Sequence, residues 1–130
     1  MSPRRLNDLA IVVVDDENDV RSAIARYLAS LGAVVEVCKN VDEGVSSIRR
    51  LRPDLVLSDL AMPGKDGFEL LNEIRSMDRL EDRNTPVIAI TGFGREVDRV
   101  RLPSAGFNAV LRKPFTPEAL LRAISDLLEL

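Results

Sequence analysis

Short apolar runs alternate along the chain with longer segments whose apolar residues recur at helical spacing. Five of these runs have the length of a β-strand: Leu9 to Val14, Val34 to Cys38, Leu55 to Ser58, Val87 to Thr91, and Ala109 to Leu111. The first, third and fourth runs are continuously apolar, as is typical of parallel strands that are buried on both faces. The alternation therefore predicts five βα units.

The segments between the runs carry the apolar face of an amphipathic helix. The first helix has apolar residues at Val20, Ile24, Tyr27, Leu28 and Leu31. We expect Asn18 or Asp19 to cap its start and Gly32 to end it. In the last helix Thr116 is expected at the N-cap and Pro117 at the first helical position.

Three further features of the helical segments lead to specific expectations. Asp42 is expected to cap the second helix. The charged stretch from Leu80 to Asn84 reads as a loop before the fourth strand. Pro103 is expected to end a short helix that carries Val97 and Val100, since proline lacks a backbone donor. Right-handed crossovers then give a flavodoxin-like (βα)5 fold, a doubly wound five-stranded parallel sheet with helices on both faces.

Composition fits a single globular domain that fills residues 1–130. The chain has 45% hydrophobic and 30% charged residues, enough apolar surface for a core. The net charge of -3 and the pI near 5.0 argue against direct binding of nucleic acid. Cys38 is the single cysteine and can form no internal disulfide. With no segment long enough to span a membrane, we expect a cytoplasmic protein.

Polar side chains lie at the predicted ends of several strands. Asp15 and Asp16 follow the first strand, Asp59 follows the third, Thr91 ends the fourth and Lys113 follows the fifth. Because the carboxyl ends of parallel strands meet at one edge, we expect these side chains to share a pocket. Clustered carboxylates repel one another, and hard oxygen ligands of this kind suit Mg²⁺.

Each of these features taken alone has an ordinary structural explanation. An Asp pair after a strand is commonly a solvated loop or a helix cap, and Lys113 alone is a surface charge. Their convergence favours function, because a lysine and a threonine beside a metal can hold phosphoryl oxygens. Pro114 adds to this interpretation, since it fixes the turn after Lys113.

The sequence resembles the receiver domain of response regulators over about residues 7–130. The resemblance is carried by Asp15-Asp16, by Asp59-Leu60-Ala61-Met62-Pro63-Gly64-Lys65-Asp66-Gly67, by Thr91-Gly92 and by Lys113-Pro114-Phe115. It implies a phosphoacceptor switch of a two-component system or phosphorelay. Such a protein is no dedicated enzyme, although it catalyses its own phosphorylation and dephosphorylation.

The resemblance also implies roles for individual residues. Asp59 would accept the phosphoryl group, with Thr91 and Lys113 holding its oxygens. Mg²⁺, for which Mn²⁺ can substitute, would be bound by Asp16, Asp59 and the backbone carbonyl of Ala61, and by Asp15 largely through water. The donor would be a phosphohistidine on a sensor histidine kinase or a histidine phosphotransfer protein, and the signal would pass to a downstream protein target.

Three positions depart from what the resemblance leads one to expect. Val110 stands three residues before Lys113, where receiver domains usually carry Tyr or Phe, so the usual aromatic rotamer switch cannot operate in its standard form. Ala61 and Phe93 lie two residues after Asp59 and Thr91, where neither side chain can activate a water molecule. We therefore expect a long-lived acyl phosphate.

Two other functions and the chain's context stay open from the sequence. A haloacid-dehalogenase type phosphohydrolase would need D-x-D after the first strand, where this chain has Asp15-Asp16-Glu17. A pseudo-receiver would dock partners without being phosphorylated, which the complete acidic set disfavours. The chain contains no histidine, which removes Ser-His-Asp catalysis. No output domain follows in this chain, so it is either a stand-alone receiver or one excised from a longer protein.

Overall fold

The computed structural model describes residues 6–92 and 96–130, in which a parallel sheet has helices on both faces. Its strands are β1 (Ala10–Val14), β2 (Val34–Cys38), β3 (Leu55–Asp59), β4 (Val87–Thr91) and β5 (Ala109–Arg112). Its helices are α1 (Asn18–Ser30), α2 (Val41–Leu51), α3 (Gly67–Arg75), α4 (Leu80–Arg83), α5 (Glu96–Ala105) and α6 (Pro117–Leu128). The strand order β2-β1-β3-β4-β5, parallel throughout, confirms the predicted doubly wound fold.

Both faces of the sheet are buried, as the continuous apolar runs predicted. Along β1, Val12 and Val14 pack on the face covered by α2 and α3. Ile11 and Val13 pack on the opposite face, with α1 and α6. All four side chains are at most 1% exposed, because successive residues of a strand point to opposite sides.

The predicted helix signals hold at α6 and at the end of α1. The Thr116 side chain accepts a hydrogen bond from the N–H of Ala119 at 3.0 Å, and Pro117 is the first residue of α6. Gly32 follows α1 with a φ of +98°, a conformation that glycine adopts without strain. Gly32 therefore ends α1, and Thr116 and Pro117 begin α6, as predicted.

Two of the predicted caps are wrong. Helix α2 begins one residue before Asp42, and Asn40 is its cap, accepting from the Glu43 N–H at 2.8 Å. Asp42 instead lies in the first turn, where its charge favours the positive end of the helix dipole. Helix α1 begins at Asn18, so the N-cap position falls to Glu17, and neither predicted residue fills it.

Two predicted boundaries in the second half of the chain are also wrong. The stretch expected to be a loop contains the one-turn helix α4, with acidic residues in its first turn and Arg83 in its last, which the helix dipole favours. Helix α5 continues through Pro103 to Ala105. A proline this near the end of the helix removes a single backbone donor, and α5 ends instead before Gly106, whose φ is +103°.

Within the described part of the chain, no helix has both the length and the apolar character needed to cross a bilayer.

Candidate functional site

Four neighbouring strands end at one edge of the sheet, and each carries a predicted site residue. Asp15 directly follows β1, Asp59 is the last residue of β3, and Thr91 is the last residue of β4. Lys113 directly follows β5, and its backbone N–H donates to the Thr91 carbonyl at 2.7 Å. The peptide bond between Lys113 and Pro114 is cis. The expected convergence of these strand ends is therefore present.

The Lys113 ammonium lies among three carboxylates. Its Nζ is 3.1 Å from Glu17 Oε1, 3.4 Å from Asp15 Oδ2 and 3.6 Å from Asp59 Oδ2. The lysine side chain is 20% exposed, whereas those of Asp15 and Asp59 are 0% and 6% exposed. Lys113 thus faces two buried acids from the side open to solvent.

Asp15 has one satisfied and one unsatisfied carboxylate oxygen. Its Oδ1 accepts a hydrogen bond from the Glu17 N–H at 2.8 Å. Its Oδ2 is buried and has no hydrogen-bond partner among residues 6–92 and 96–130. The Arg21 guanidinium donates to the Asp15 backbone carbonyl at 2.8 Å and so fixes the turn between β1 and α1. This oxygen faces the Lys113 ammonium at 3.4 Å, but a buried carboxylate oxygen that accepts no hydrogen bond is costly, which leaves Asp15 able to accept a further cation.

The two buried acids are protonated more readily than ordinary aspartates. Burial and the neighbouring Asp15 carboxylate raise the pKa of Asp59 to about 6, against the opposing effect of Lys113. Burial also raises the pKa of Asp15, although the hydrogen bond from Glu17 lowers it. Burial lowers the pKa of Lys113, but Asp59, Asp15 and Glu17 outweigh it and raise that pKa. The site therefore holds excess negative charge that its lysine does not neutralise.

The structure brings Glu17 into the acidic group, a residue that the sequence analysis did not select. Carboxylate oxygens of Asp15, Glu17 and Asp59 lie within 4.8 Å of one another, the arrangement that could hold a metal ion. Asp16, predicted as a ligand, is exposed and lies outside this group, although its charge contributes to the raised pKa of Asp59. The sequence signal for Glu17 was its position as the third consecutive acid after Asp15 and Asp16. That run was compared only with a D-x-D motif.

The remaining predicted positions differ in their exposure and contacts. Thr91 is buried, and its hydroxyl donates to the Gly92 carbonyl at 3.2 Å. Ala61 is exposed, and its backbone N–H bonds to the Asp59 carboxylate and lowers its pKa. Val110 is 45% exposed on β5. Phe93 lies outside the described residues.

The loop after Asp59 approaches the site so closely that one position requires glycine. A Cβ placed on Gly67 would lie 2.5 Å from the Asp59 carbonyl oxygen and 2.9 Å from Leu60 Cα. These are backbone atoms that cannot move aside without displacing the strand end. Asp66 caps α3 in the preceding position by accepting from the Glu69 N–H at 3.0 Å. The pair Asp66-Gly67 thus fixes the loop from Asp59 into α3.

The site fits a divalent cation by its own chemistry. Its potential ligands are carboxylate oxygens, which Mg²⁺ prefers. Asp15 Oδ2 accepts no hydrogen bond among the described residues, and burial raises the pKa values of Asp15 and Asp59, so added positive charge would stabilise their ionised forms. Asp15 and Asp59 are also held rigidly at adjacent strand ends.

Comparison with known sequences gives one consistent result. Residues 11–125 match the sequence model of the response regulator receiver domain. An uncharacterized 14.6 kDa protein of Leptolyngbya boryana is 40% identical over 121 residues, which cover 93% of this chain and 91% of that protein. The transcriptional regulatory protein ResD of Bacillus subtilis is 35% identical over 122 residues, which cover 94% of this chain and 49% of ResD. The chain thus spans about half the length of that regulator.

Solved structures agree with the sequence comparison. The receiver domain of the sensor histidine kinase PA1611 of Pseudomonas aeruginosa, which has a magnesium ion coordinated in its active-site cleft, matches with a TM-score of 0.85 and 31% identity, covering 95% of this chain and 99% of that one. The chemotaxis response regulator CheY4 of Vibrio cholerae matches with a TM-score of 0.83 and 26% identity, covering 93% of this chain and 99% of that one. Together with the acidic site at the strand ends, these matches show that the chain belongs to the response regulator receiver domain family of two-component signal transduction.

Proposed function

We propose that Asp59 accepts a phosphoryl group from a phosphohistidine, in a Mg²⁺-dependent reaction, and that the modified protein signals through altered protein-protein contacts. The donor would be a sensor histidine kinase or a histidine phosphotransfer protein. The observation that carries the proposal is the position of the Asp59 carboxylate, at a strand end within 3.6 Å of the Lys113 ammonium and within 4.8 Å of two further acids. Family membership supports the same chemistry.

The transfer makes one bond and breaks one. A carboxylate oxygen of Asp59 attacks phosphorus, the bond from phosphorus to the donor imidazole nitrogen breaks, and that nitrogen keeps the electron pair and takes up a proton. With a pKa of about 6, the Asp59 carboxylate is ionised at neutral pH and has the free electron pair that attack requires. Lys113 would then hold one phosphoryl oxygen and Thr91 another.

The metal would be held by the acids that surround Asp59. We assign it to Asp59, Asp16 and the backbone carbonyl of Ala61 directly, and to Asp15 largely through water. When bound, Mg²⁺ supplies positive charge that neutralises the acids and the phosphoryl oxygens. The cofactor Mn²⁺ would be an adequate substitute, since it accepts the same oxygen ligands.

The site is open to a protein donor on one side. An apolar groove of about 580 Å³ lies between α1 and α6, and its lining residues include Glu17, Tyr27, Lys113 and Phe115. Grooves of this kind commonly receive an amphipathic helix. We therefore place the phosphohistidine protein against α1, from where its imidazole would reach the site across Lys113.

The output differs from the usual aromatic switch. Val110 has one rotatable side-chain bond and no ring, so it cannot swing into the space beside Thr91 as Tyr or Phe would. Its 45% exposure on β5 leaves it available to a binding partner in either state. We propose that the downstream protein reads the charge and loop geometry at the phosphorylated edge. A cytoplasmic location fits this role and the single buried Cys38.

Intact-mass spectrometry after treatment with acetyl phosphate tests the proposal. We expect one phosphoryl group per chain with Mg²⁺ present and none when the metal is chelated. The variant Asp59→Asn should take up nothing, whereas the control Asp78→Asn, which alters an exposed aspartate between α3 and α4, should behave as wild type. Modification of Asp59→Asn would contradict Asp59 as the phosphoacceptor. No modification of the wild type would contradict phosphorylation and favour a receiver that only docks partners.

A further inference from the structure

We propose that Glu17 competes with the phosphoryl group for Lys113, holding the ammonium in the unmodified protein and releasing it on phosphorylation. The inference deepens the function proposed above and rests on it. It concerns a residue of the acidic group to which the sequence analysis assigned no role.

The first observation is the order of distances around the lysine. Of the three carboxylates that surround Lys113 Nζ, that of Glu17 is the nearest, at 3.1 Å, and accepts a hydrogen bond from it. Asp59, the proposed phosphoacceptor, is the farthest at 3.6 Å. The ammonium therefore donates its hydrogen bond to the outer acid, Glu17, rather than to the residue whose phosphoryl group it would hold.

A second observation concerns the start of α1. Glu17 occupies the N-cap position, where a side chain ordinarily accepts a hydrogen bond from the first turn, yet within the described residues its side chain makes no such bond. Its backbone is fixed, because its N–H donates to Asp15 Oδ1 at 2.8 Å. The carboxylate points to Lys113 instead, so this position gives up a cap for the ion pair.

Exposure determines which of the acids can release the lysine. The Glu17 side chain is 61% exposed and that of Asp15 is 0% exposed. A hydrated carboxylate loses little when an exposed ion pair breaks, because water already screens the attraction and solvates both charges. Asp15 cannot turn into solvent. Glu17 is therefore the partner that can leave.

Phosphorylation would supply the force for that exchange. A phosphoryl group adds close to two negative charges on Asp59, whose carboxylate lies within 4.8 Å of that of Glu17. Repulsion between the two anions pushes Glu17 outward, while attraction draws Lys113 Nζ toward the phosphoryl oxygens. Glu17 consequently opposes the phosphorylated state and shortens its lifetime.

Three variants separate this competition from a general effect of charge. Glu17→Gln removes the ion pair and the charge. Glu17→Asp keeps the charge but is one methylene too short to reach Lys113 Nζ. The matched control Asp19→Asn removes one exposed negative charge from the first turn of α1 without touching Lys113.

The first readout is the ¹H–¹⁵N signal of the Lys113 ammonium in the unmodified protein. We expect it to shift in Glu17→Gln and Glu17→Asp and to stay in place in Asp19→Asn. The second readout is the decay of the phosphorylated protein after the small donor is removed. We expect a lifetime about two- to fivefold longer in both Glu17 variants, the change that loss of an exposed ion pair allows, and no change in Asp19→Asn.

Several results would overturn the competition. These are a wild-type lifetime in Glu17→Asp, an equal effect of Asp19→Asn, and a loss of Mg²⁺ affinity in Glu17→Gln by calorimetry, which would make Glu17 a metal ligand. If the wild type takes up no phosphoryl group, the proposed function fails and the competition fails with it, although the ammonium signal would still report the ion pair. A phosphorylated wild type whose lifetime is matched by both Glu17 variants refutes the competition alone.

Discussion

Replacing Asp59 by asparagine should make the metal-free protein more stable at neutral pH, even though it removes the proposed phosphoacceptor. The substitution keeps the shape of the side chain and removes one of two buried negative charges at the strand ends. Asp15 then has no charged neighbour on β3, and the ammonium of Lys113 has one fewer acid to balance. We therefore expect a gain in stability from the loss of repulsion and of the cost of burying a charge.

The expected gain follows from the pKa of Asp59. That pKa rises from its ordinary value of 3.8 to about 6 in the folded protein, first through burial and then through Asp15. Because the folded-state pKa is the higher, the contribution of Asp59 to wild-type stability is most favourable below about pH 4 and falls until the pH exceeds about 6. The difference corresponds to about 3 kcal/mol. Since a buried amide also carries a burial cost, we expect a gain of about 1 to 3 kcal/mol at about pH 8.

Urea unfolding followed by circular dichroism measures this gain. Wild type and Asp59→Asn are compared with divalent ions chelated, at several pH values from about 4 to about 8, where the penalty on the wild type develops. Asp78→Asn serves as the control for removal of one exposed charge. We expect the free energies of unfolding of wild type and Asp59→Asn to be similar at the acidic end of this range. As the pH rises, Asp59→Asn should become the more stable of the two.

Addition of Mg²⁺ gives the complementary measurement. A ligand that binds the folded state stabilises it by mass action, so the metal should stabilise wild type clearly and Asp59→Asn much less. The reasoning is refuted if Asp59→Asn is less stable than wild type at about pH 8, where the penalty should be complete. It is also refuted if the difference between the two proteins does not change with pH.

Substitutions at four further positions test separate parts of the proposal. Asp16→Ala should weaken Mg²⁺ binding at least about tenfold by calorimetry and remove most of the phosphorylation rate with acetyl phosphate. Lys113→Ala should preserve metal binding and shorten the lifetime of the phosphorylated protein, followed by intact mass, because a phosphoryl oxygen loses its cation. Ala61→Asn or Ala61→Glu should accelerate that decay by placing a polar group beside the attacking water, and an unchanged decay in both would count against the role of this position. Arg75→Ala should cost about 1 to 3 kcal/mol in urea unfolding, since the guanidinium donates at 2.7 Å to the backbone carbonyl of Thr85.

The fold could be predicted because its strongest signals are local and repeated. Continuous apolar runs require burial on both faces, and only helices on both sides of a parallel sheet provide it. The helix ends were harder to predict, because neighbouring residues can serve equally well as the N-cap. Asn40 and Asp42 are both good caps, and the packing of α2 rather than side-chain chemistry decides between them. The end of α5 was also hard to predict, because the effect of Pro103 depends on how much of the helix follows it.

The site could be predicted in outline because topology alone brings the strand ends together. Asp15, Asp59 and Lys113 follow strands, and the fold leaves them no other edge to occupy. Glu17 was missed because its place depends on the exact start of α1, which sets the direction of its side chain toward Lys113. Likewise, the exposure of Asp16 depends on the turn that Arg21 fixes after β1, and no sequence pattern reports it.

Chemical trapping shows whether Asp59 itself receives the phosphoryl group. Borohydride reduces an acyl phosphate to an alcohol, which converts a phosphorylated aspartate to homoserine in a position that peptide mass spectrometry identifies. After treatment with acetyl phosphate and Mg²⁺, the account predicts homoserine at position 59 alone, and none when the metal is chelated. Homoserine at position 15 or 16 would contradict phosphorylation of Asp59. Homoserine at no position, with or without Mg²⁺, would contradict it as well.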